Sequence, residues 1–148
     1  MTPNPALDDI AFLAGTWDVE LSNASFLPDP ADTVRGRVDV EWIADGALLA
    51  LFQDREPGTP AAATWVFGRD DSSGQYQVFY ADSRKVSRIY TMSFAGSIWR
   101  MWRDDPTFSQ RFEAIVNDDR TAIAARWERR SNGGGWEHDF DLTYTKHA

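Results

Sequence analysis

The strongest constraint on the fold is a period-two alternation of apolar and polar residues that begins at Trp17 and continues almost to the end of the chain. In residues 34–42, valines, a glycine and a tryptophan alternate with charged residues, as in a strand with one dry and one wet face. Turn-forming residues such as Asp45-Gly46 interrupt the alternation at short intervals. The sequence therefore predicts about ten strands, near residues 17–21, 34–42, 47–53, 62–69, 75–82, 86–94, 97–103, 108–117, 121–130 and 135–145, with a proline-rich loop at 56–60.

Strands joined by such short turns favour an up-and-down barrel, because closure leaves no strand with an unpaired edge. We predict an all-β fold: a closed or nearly closed antiparallel barrel with a short N-terminal helix, forming one domain over residues 1–148. The helix is expected to follow Asn4, a capping residue succeeded by Pro5, and to end at Gly15. A two-sheet sandwich is the alternative architecture, but it needs longer crossing connections.

Charge and composition exclude several classes of function. The 148 residues carry a net charge of −8, with 11 acidic and 3 basic residues among the first 60 and 12 of each among the others. Because there is no basic patch, binding to nucleic acid or to an anionic membrane surface is not expected. The chain has no cysteine and no recognisable secretion signal. We therefore expect a cytoplasmic protein with no nucleic-acid or membrane partner. The sequence does not decide between a monomer and a homo-oligomer.

The last predicted strand carries a histidine among apolar residues. Counting by twos places His138 on the same face as Phe140 and Leu142, and this alternation predicts that its imidazole points into the barrel. An imidazole in that position either joins a hydrogen-bonded core cluster or faces a ligand. Metal binding is not expected, because the other histidine, His147, stands one residue from the end of the sequence and the acidic residues fall on outward faces.

Further polar residues also fall on the apolar faces of their strands. Arg88 alternates with apolar and aromatic residues, and a buried guanidinium must be paired or must meet an anionic group. Aromatic walls with a few convergent polar groups are typical of a small-molecule site. The predicted ligand-binding residues are Arg88, Tyr90, Trp99, Arg103, Gln110, Trp127 and His138.

This pattern favours the binding of one small, apolar or amphipathic molecule, with an anionic or carbonyl group facing Arg88 or His138. The first alternative is an enzyme that uses the same cavity, with His138 as acid or base and Arg88 or Tyr90 stabilising negative charge. The second is a barrel filled by its own side chains that associates with other proteins through its acidic surface. The sequence contains no glycine-rich nucleotide motif and no nucleophile elbow.

Several motifs resemble one group of barrel proteins. Gly15-Thr16-Trp17 resembles the Gly-x-Trp start of the calycins, which include lipocalins, fatty-acid-binding proteins and nitrobindins. Residues 41–49, 82–84, 88–93, 108–112 and 136–144 resemble segments of the bacterial domain-of-unknown-function 1579 family, over about residues 7–146 in all. The resemblance implies a calycin-like barrel in which Trp17 packs across the closed end. It implies no reaction, since fold alone does not give function.

The resemblance to nitrobindins raises the question of haem. In that family a histidine of the last strand holds the haem, and His138 stands on the last predicted strand here. The chain departs from the nitrobindin pattern after Trp17, where Asp18-Val19-Glu20-Leu21 replaces the repeated glycine and the Tyr-Pro. We therefore predict no haem and no other cofactor.

Overall fold

The structure is a computed structural model that describes residues 1–53 and 62–147. Its ten strands form a closed antiparallel barrel in which strands consecutive in the chain pair with each other and the last strand pairs with the first. The strands are β1 (Gly15–Ser22), β2 (Val34–Ile43), β3 (Leu48–Gln53), β4 (Ala63–Arg69), β5 (Tyr76–Asp82), β6 (Ser87–Ala95), β7 (Ile98–Arg103), β8 (Phe108–Val116), β9 (Ala122–Ser131) and β10 (Glu137–Lys146). The predicted barrel is confirmed, and the sandwich is wrong.

The observed strand boundaries lie within one or two residues of most of the predicted ones. Alternation and turn residues were sufficient for this, because each strand presents one face to the core and ends at a local hydrogen-bonding motif. The loop expected at residues 56–60 lies outside the described residues. In the described part of the chain, no helix is long and apolar enough to cross a membrane.

A short helix precedes the barrel, as predicted, but it is a 3₁₀ helix over Pro5–Leu13. Its start is the expected one, since the Asn4 side chain accepts a hydrogen bond from the Ala6 backbone N–H at 3.0 Å. Its end differs from the expectation: Ala14 is the C-cap, and Gly15 already belongs to β1, with a φ of 132°. The glycine therefore turns the chain from the helix into the barrel wall.

The helix closes one end of the barrel. Leu7, Ile10 and Leu13 are fully or almost fully buried there against the core. Trp17, at the start of β1, is 1% exposed, and its indole N–H donates to the Leu13 carbonyl at 2.8 Å. The expected position of Trp17 at the closed end is confirmed, and the barrel is accessible from the opposite end.

Candidate functional site

The barrel encloses a cavity of about 520 Å³ that opens at the end away from the helix. Aromatic rings make up much of its wall, and Trp65 packs at tilted angles against two of them, 5.3 Å from Tyr90 and 5.8 Å from Trp127 between ring centroids. The interior is therefore not filled by its own side chains. The aromatic residues that line the cavity are Phe26, Trp65, Phe67, Tyr80, Tyr90, Trp99, Phe108, Phe112, Trp127, Phe140 and Tyr144.

The structure brings five of the seven predicted site residues to this cavity: Arg88, Tyr90, Trp99, Gln110 and Trp127. Each lies on the inward side of its strand, as alternation predicted. Arg103 and His138 do not line the cavity. Whether any of the seven binds a ligand stays a prediction, but the two outliers have different structural reasons.

Arg103 is the first outlier. It pairs with Gln110 across β7 and β8, and its Nε atom is buried with no hydrogen-bond partner among the described residues. The guanidinium is nonetheless close enough to Tyr90 for its positive charge to oppose the rise in the pKa of that phenol. Arg103 therefore places a positive charge near Tyr90 without lining the cavity itself.

Gln110 joins the polar groups of the cavity wall. Its Oε1 accepts a hydrogen bond from the Tyr90 hydroxyl at 2.5 Å and one from the Arg88 guanidinium at 3.3 Å. Burial raises the pKa of Tyr90, so the phenol stays protonated and remains a donor. Within the described residues, the amide nitrogen of Gln110 donates to no protein group. Tyr90 and Arg88 thus both donate to the amide oxygen of Gln110, and the N–H groups of that amide stay available to a ligand.

A second polar cluster at the mouth was missed by the sequence reasoning. The Asp82 carboxylate is completely buried, and it accepts hydrogen bonds from the Tyr80 hydroxyl at 2.6 Å and from Arg84 at 2.7 Å. The Arg84 hydrogen bonds hold the pKa of Asp82 well below its usual range, while burial raises that of Tyr80. The alternation of β5 could have predicted that Asp82 points inward, because it shares one face of the strand with Tyr76, Val78 and Tyr80.

The predicted inward orientation of His138 is wrong. A β-bulge interrupts the pairing of β10 with β9: His138 lies opposite Glu128, whereas Phe140 lies opposite Trp127. The extra residue, Asp139, shifts the alternation by one, so that His138 points to the outer surface. There its Nε2 lies 2.8 Å from the Asp141 carboxylate.

Asp139 takes the place that alternation assigned to His138. It is 8% exposed and lines the cavity. Burial raises the pKa of its carboxyl group, and the positive charges of Arg129 and His138 partly oppose that rise. No hydrogen bond or ion pair reaches this carboxylate from the described residues. A bulge leaves no signature in the alternation itself, so the sequence pattern could not have identified Asp139.

The outward His138 also bears on cofactors. A haem held inside the barrel by this histidine does not fit the structure, because the imidazole lies on the other side of the sheet. Among the described residues, no three histidine or acidic side chains come together in a way that would hold a metal ion. The expectation of no cofactor remains a prediction.

Comparison with known proteins supports the fold alone. No protein family matches the chain, and no curated protein matches it either. Among solved structures, the crystal structure of Rv2717c from M. tuberculosis is similar, with a TM-score of 0.61 over 99% of this chain and 100% of that one. The two sequences are 12% identical, so the likeness is one of barrel architecture.

Proposed function

We propose that the protein binds one small, mostly apolar molecule inside the barrel, as a calycin-like member of the bacterial domain-of-unknown-function 1579 family that acts in the cytoplasm. The open cavity of about 520 Å³ carries this proposal. Its size lies in the range of roughly 300–1,000 Å³ typical of small-molecule sites. A void of that size lined by aromatic rings forfeits packing contacts unless something occupies it.

The distribution of polar groups supports a ligand with one polar end. The aromatic rings surround the middle of the cavity, whereas the charged groups Arg88 and Asp82 stand toward the mouth. The Arg88 guanidinium lies 5.1 Å from the centre of the Phe108 ring. Its hydrogen bond to Gln110 uses one of five N–H donors, so others can bind a ligand. We infer that an apolar body enters the barrel and that a carbonyl or anionic group stays near Arg88.

The two alternative functions lose their supporting observations. The enzyme hypothesis relied on His138 as an acid or base in the cavity, and this residue lies outside it. The surface-association hypothesis relied on a filled barrel, and the interior holds a cavity. Ligand binding is the function for which both the shape and the chemistry of the interior provide an argument.

Blocking the cavity from within tests the proposal. Gly36 lines the cavity, and a side chain added there meets no atom within 4 Å of its Cβ. Gly36→Phe should therefore keep the barrel folded and fill the space. Ala124→Phe is the matched control, since it adds the same ring on the exposed outer face of β9.

Binding is measured by quenching of tryptophan fluorescence with a set of naphthyl compounds, since Trp65, Trp99 and Trp127 line the cavity. We expect the wild type and Ala124→Phe to bind at least one compound and Gly36→Phe to lose that binding while retaining its circular dichroism spectrum. Absence of binding across the set, or equal binding by all three proteins, would contradict an internal site. Arg88→Met should selectively weaken naphthoate, the anionic compound of the set.

A further inference from the structure

The charged residues that line the cavity are four arginines and two aspartates: Arg35, Arg37, Arg84, Arg88, Asp82 and Asp139. Three of the arginines have acidic partners, because Arg35 contacts Glu20 at 3.4 Å, Arg37 contacts Asp39 at 3.5 Å and Arg84 contacts Asp82 at 2.7 Å. Arg88 bonds to a neutral amide. Within the described residues, Asp139 is therefore the lining acid that lacks an oppositely charged partner at contact distance.

The bulge holds Asp139 in this position from both sides. On the outer face, the Asp141 carboxylate lies 2.8 Å from His138 Nε2 and accepts a hydrogen bond from the Asn23 side chain at 2.8 Å. On the chain itself, the Asp139 carbonyl accepts a hydrogen bond from the Ser25 backbone N–H at 3.1 Å. These contacts fix the two-against-one register, so the inward direction of the Asp139 side chain is built into the fold.

The surroundings of Asp139 are aromatic. The neighbouring Phe140 ring lies 5.7 Å from Phe26, which meets it edge to face, and 6.4 Å from Trp127 between centroids. The residue is 8% exposed, so its carboxylate loses hydration, and no hydrogen bond or ion pair from the described residues replaces it; the charges of Arg129 and His138 act from beyond contact distance. A cation brought by a ligand would supply a counter-charge in contact, and the ring faces would attract it as well.

We propose that Asp139 is the cation-binding residue of the cavity and that the ligand carries a protonated amine on its apolar body. This inference rests on the proposed function, since it assumes that a ligand enters the barrel. Gln110 pairs with Arg129 and Arg129 pairs with Glu137 of β10, so Gln110 and Glu137 are about 10 Å apart at the backbone. Asp139 lies two residues further along β10, and a single small molecule can reach Asp139 with its amine and the Arg88–Gln110 pair with an acceptor group.

Two probes of the same shape test this directly: naphthylmethylamine, which is protonated at neutral pH, and naphthylmethanol, which is neutral. We expect the wild type to bind the amine about tenfold more tightly than the alcohol, as measured by calorimetric titration. Asp139→Asn should remove most of this preference and leave the affinity for the alcohol nearly unchanged. Glu41→Gln is the control, since it removes the same charge from an exposed residue of β2 and should preserve the preference.

The outcomes separate the inference from the proposed function. If the wild type binds the alcohol as tightly as the amine, or Asp139→Asn weakens both equally, Asp139 is not a cation site although the cavity still binds ligands. If neither compound nor any other of the naphthyl set binds, the proposed function is wrong and the inference falls with it.

A measurement on the unaltered protein guards against a variant that does not fold. Lowering the pH until the Asp139 carboxylate becomes protonated should weaken binding of the amine and leave binding of the alcohol unchanged. The amine itself stays protonated at these pH values, whereas Asp139 loses its negative charge. The charged groups that act on this carboxyl are Arg129 and His138, and Asp139→Asn is the control, because its affinity for the amine should not change over the same pH range. An affinity of the wild type for the amine that is independent of pH would overturn the proposal.

Discussion

The two ends of the barrel differ in how several of their polar side chains are bonded. At the closed end, two side chains are bonded to backbone carbonyls of the helix: Trp17 donates to Leu13, and the Lys146 ammonium donates to the Phe12 carbonyl at 2.6 Å. Arg120, beside the Phe12 ring, is an exception, because its Nη1 has no partner among the described residues. At the open end, within the described residues, Arg88 donates to the neutral amide of Gln110, and Asp139 has no hydrogen-bond or ion-pair partner. The first arrangement contributes to stability, whereas the second leaves polar groups whose burial costs free energy until a partner arrives.

The contrast teaches where to look for function in a barrel of this kind. Polar residues on inward faces occur at both ends, so their presence alone does not distinguish them. Hydrogen bonding to the protein distinguishes individual residues: Arg69 near the helix donates to the Ala6 carbonyl at 3.0 Å and to the Tyr76 hydroxyl at 3.3 Å, unlike Asp139. We expect substitutions at the closed end to reduce stability and substitutions at the open end to change binding more than stability.

The largest expected effect concerns the closed end. Trp17→Ala should lower the free energy of unfolding by about 3–5 kcal/mol, the usual result of removing a large aromatic side chain from a core. Trp136→Ala is the control, because Trp136 lies outside the barrel against Arg111, 4.1 Å from ring centre to guanidinium, and its loss should cost about 1 kcal/mol or less. Urea melts measure both, and equal losses would show that Trp17 is not central to the core.

The second effect tests whether one cluster at the mouth behaves like the closed end. Asp82→Ala leaves the Tyr80 hydroxyl and the Arg84 guanidinium without the acceptor they share, so it should destabilise by about 1–3 kcal/mol. Since the pKa of Asp82 is lowered in the fold, its contribution is present above the pKa of an unfolded aspartate and is lost as the pH falls through the lowered value. A pH-independent difference between variant and wild type in urea melts would refute this assignment.

A smaller effect of opposite sign is expected at Asp139. The pKa of Asp139 is raised in the fold, so ionisation of its carboxyl group opposes folding. The free energy of unfolding is therefore higher when Asp139 is protonated, and it falls as the pH rises through the raised pKa. Asp139→Asn should therefore stabilise the free protein at neutral pH, and the gain should shrink toward about pH 4 and below, where an unfolded aspartate also becomes protonated. Thermal melts across that range provide the measurement, and a destabilised variant at neutral pH would place Asp139 among the structural residues.

The smallest effect is expected at His138. The imidazole is about a third exposed, and its ion pair with Asp141 lies on the outer face, so His138→Ala should change stability by about 1 kcal/mol or less. It should leave the binding of naphthylmethanol unchanged, because the ring does not face the cavity. A large loss of binding would mean that the bulge depends on the His138–Asp141 contact more strongly than its exposure indicates.

Alternation was enough to predict the barrel, the number of strands and five of the residues around the cavity, because a strand's two faces follow directly from its backbone. It failed where the backbone inserts one residue. The same count that correctly placed Phe140 and Leu142 inside also placed His138 inside, and the bulge at Asp139 made the last assignment wrong. The hydrogen-bond partners of the inward polar side chains could not be predicted from the sequence either. The Tyr90–Gln110 hydrogen bond, for example, joins residues on different strands, and whether their side chains meet depends on the curvature of the barrel wall.

Closure of the barrel has a consequence for how the chain folds. The pairing of Trp17 with Lys146 joins the first strand to the last, whereas the other pairings connect strands that follow one another in the chain. During synthesis, the hairpins can form as they emerge, but β1 and β9 keep open edges until β10 leaves the ribosome. Such edges recruit other chains, and the long loop that must close slows the final step. A ribosome stalled before β10 should therefore carry an aggregation-prone sheet, and release of that one strand should close the barrel.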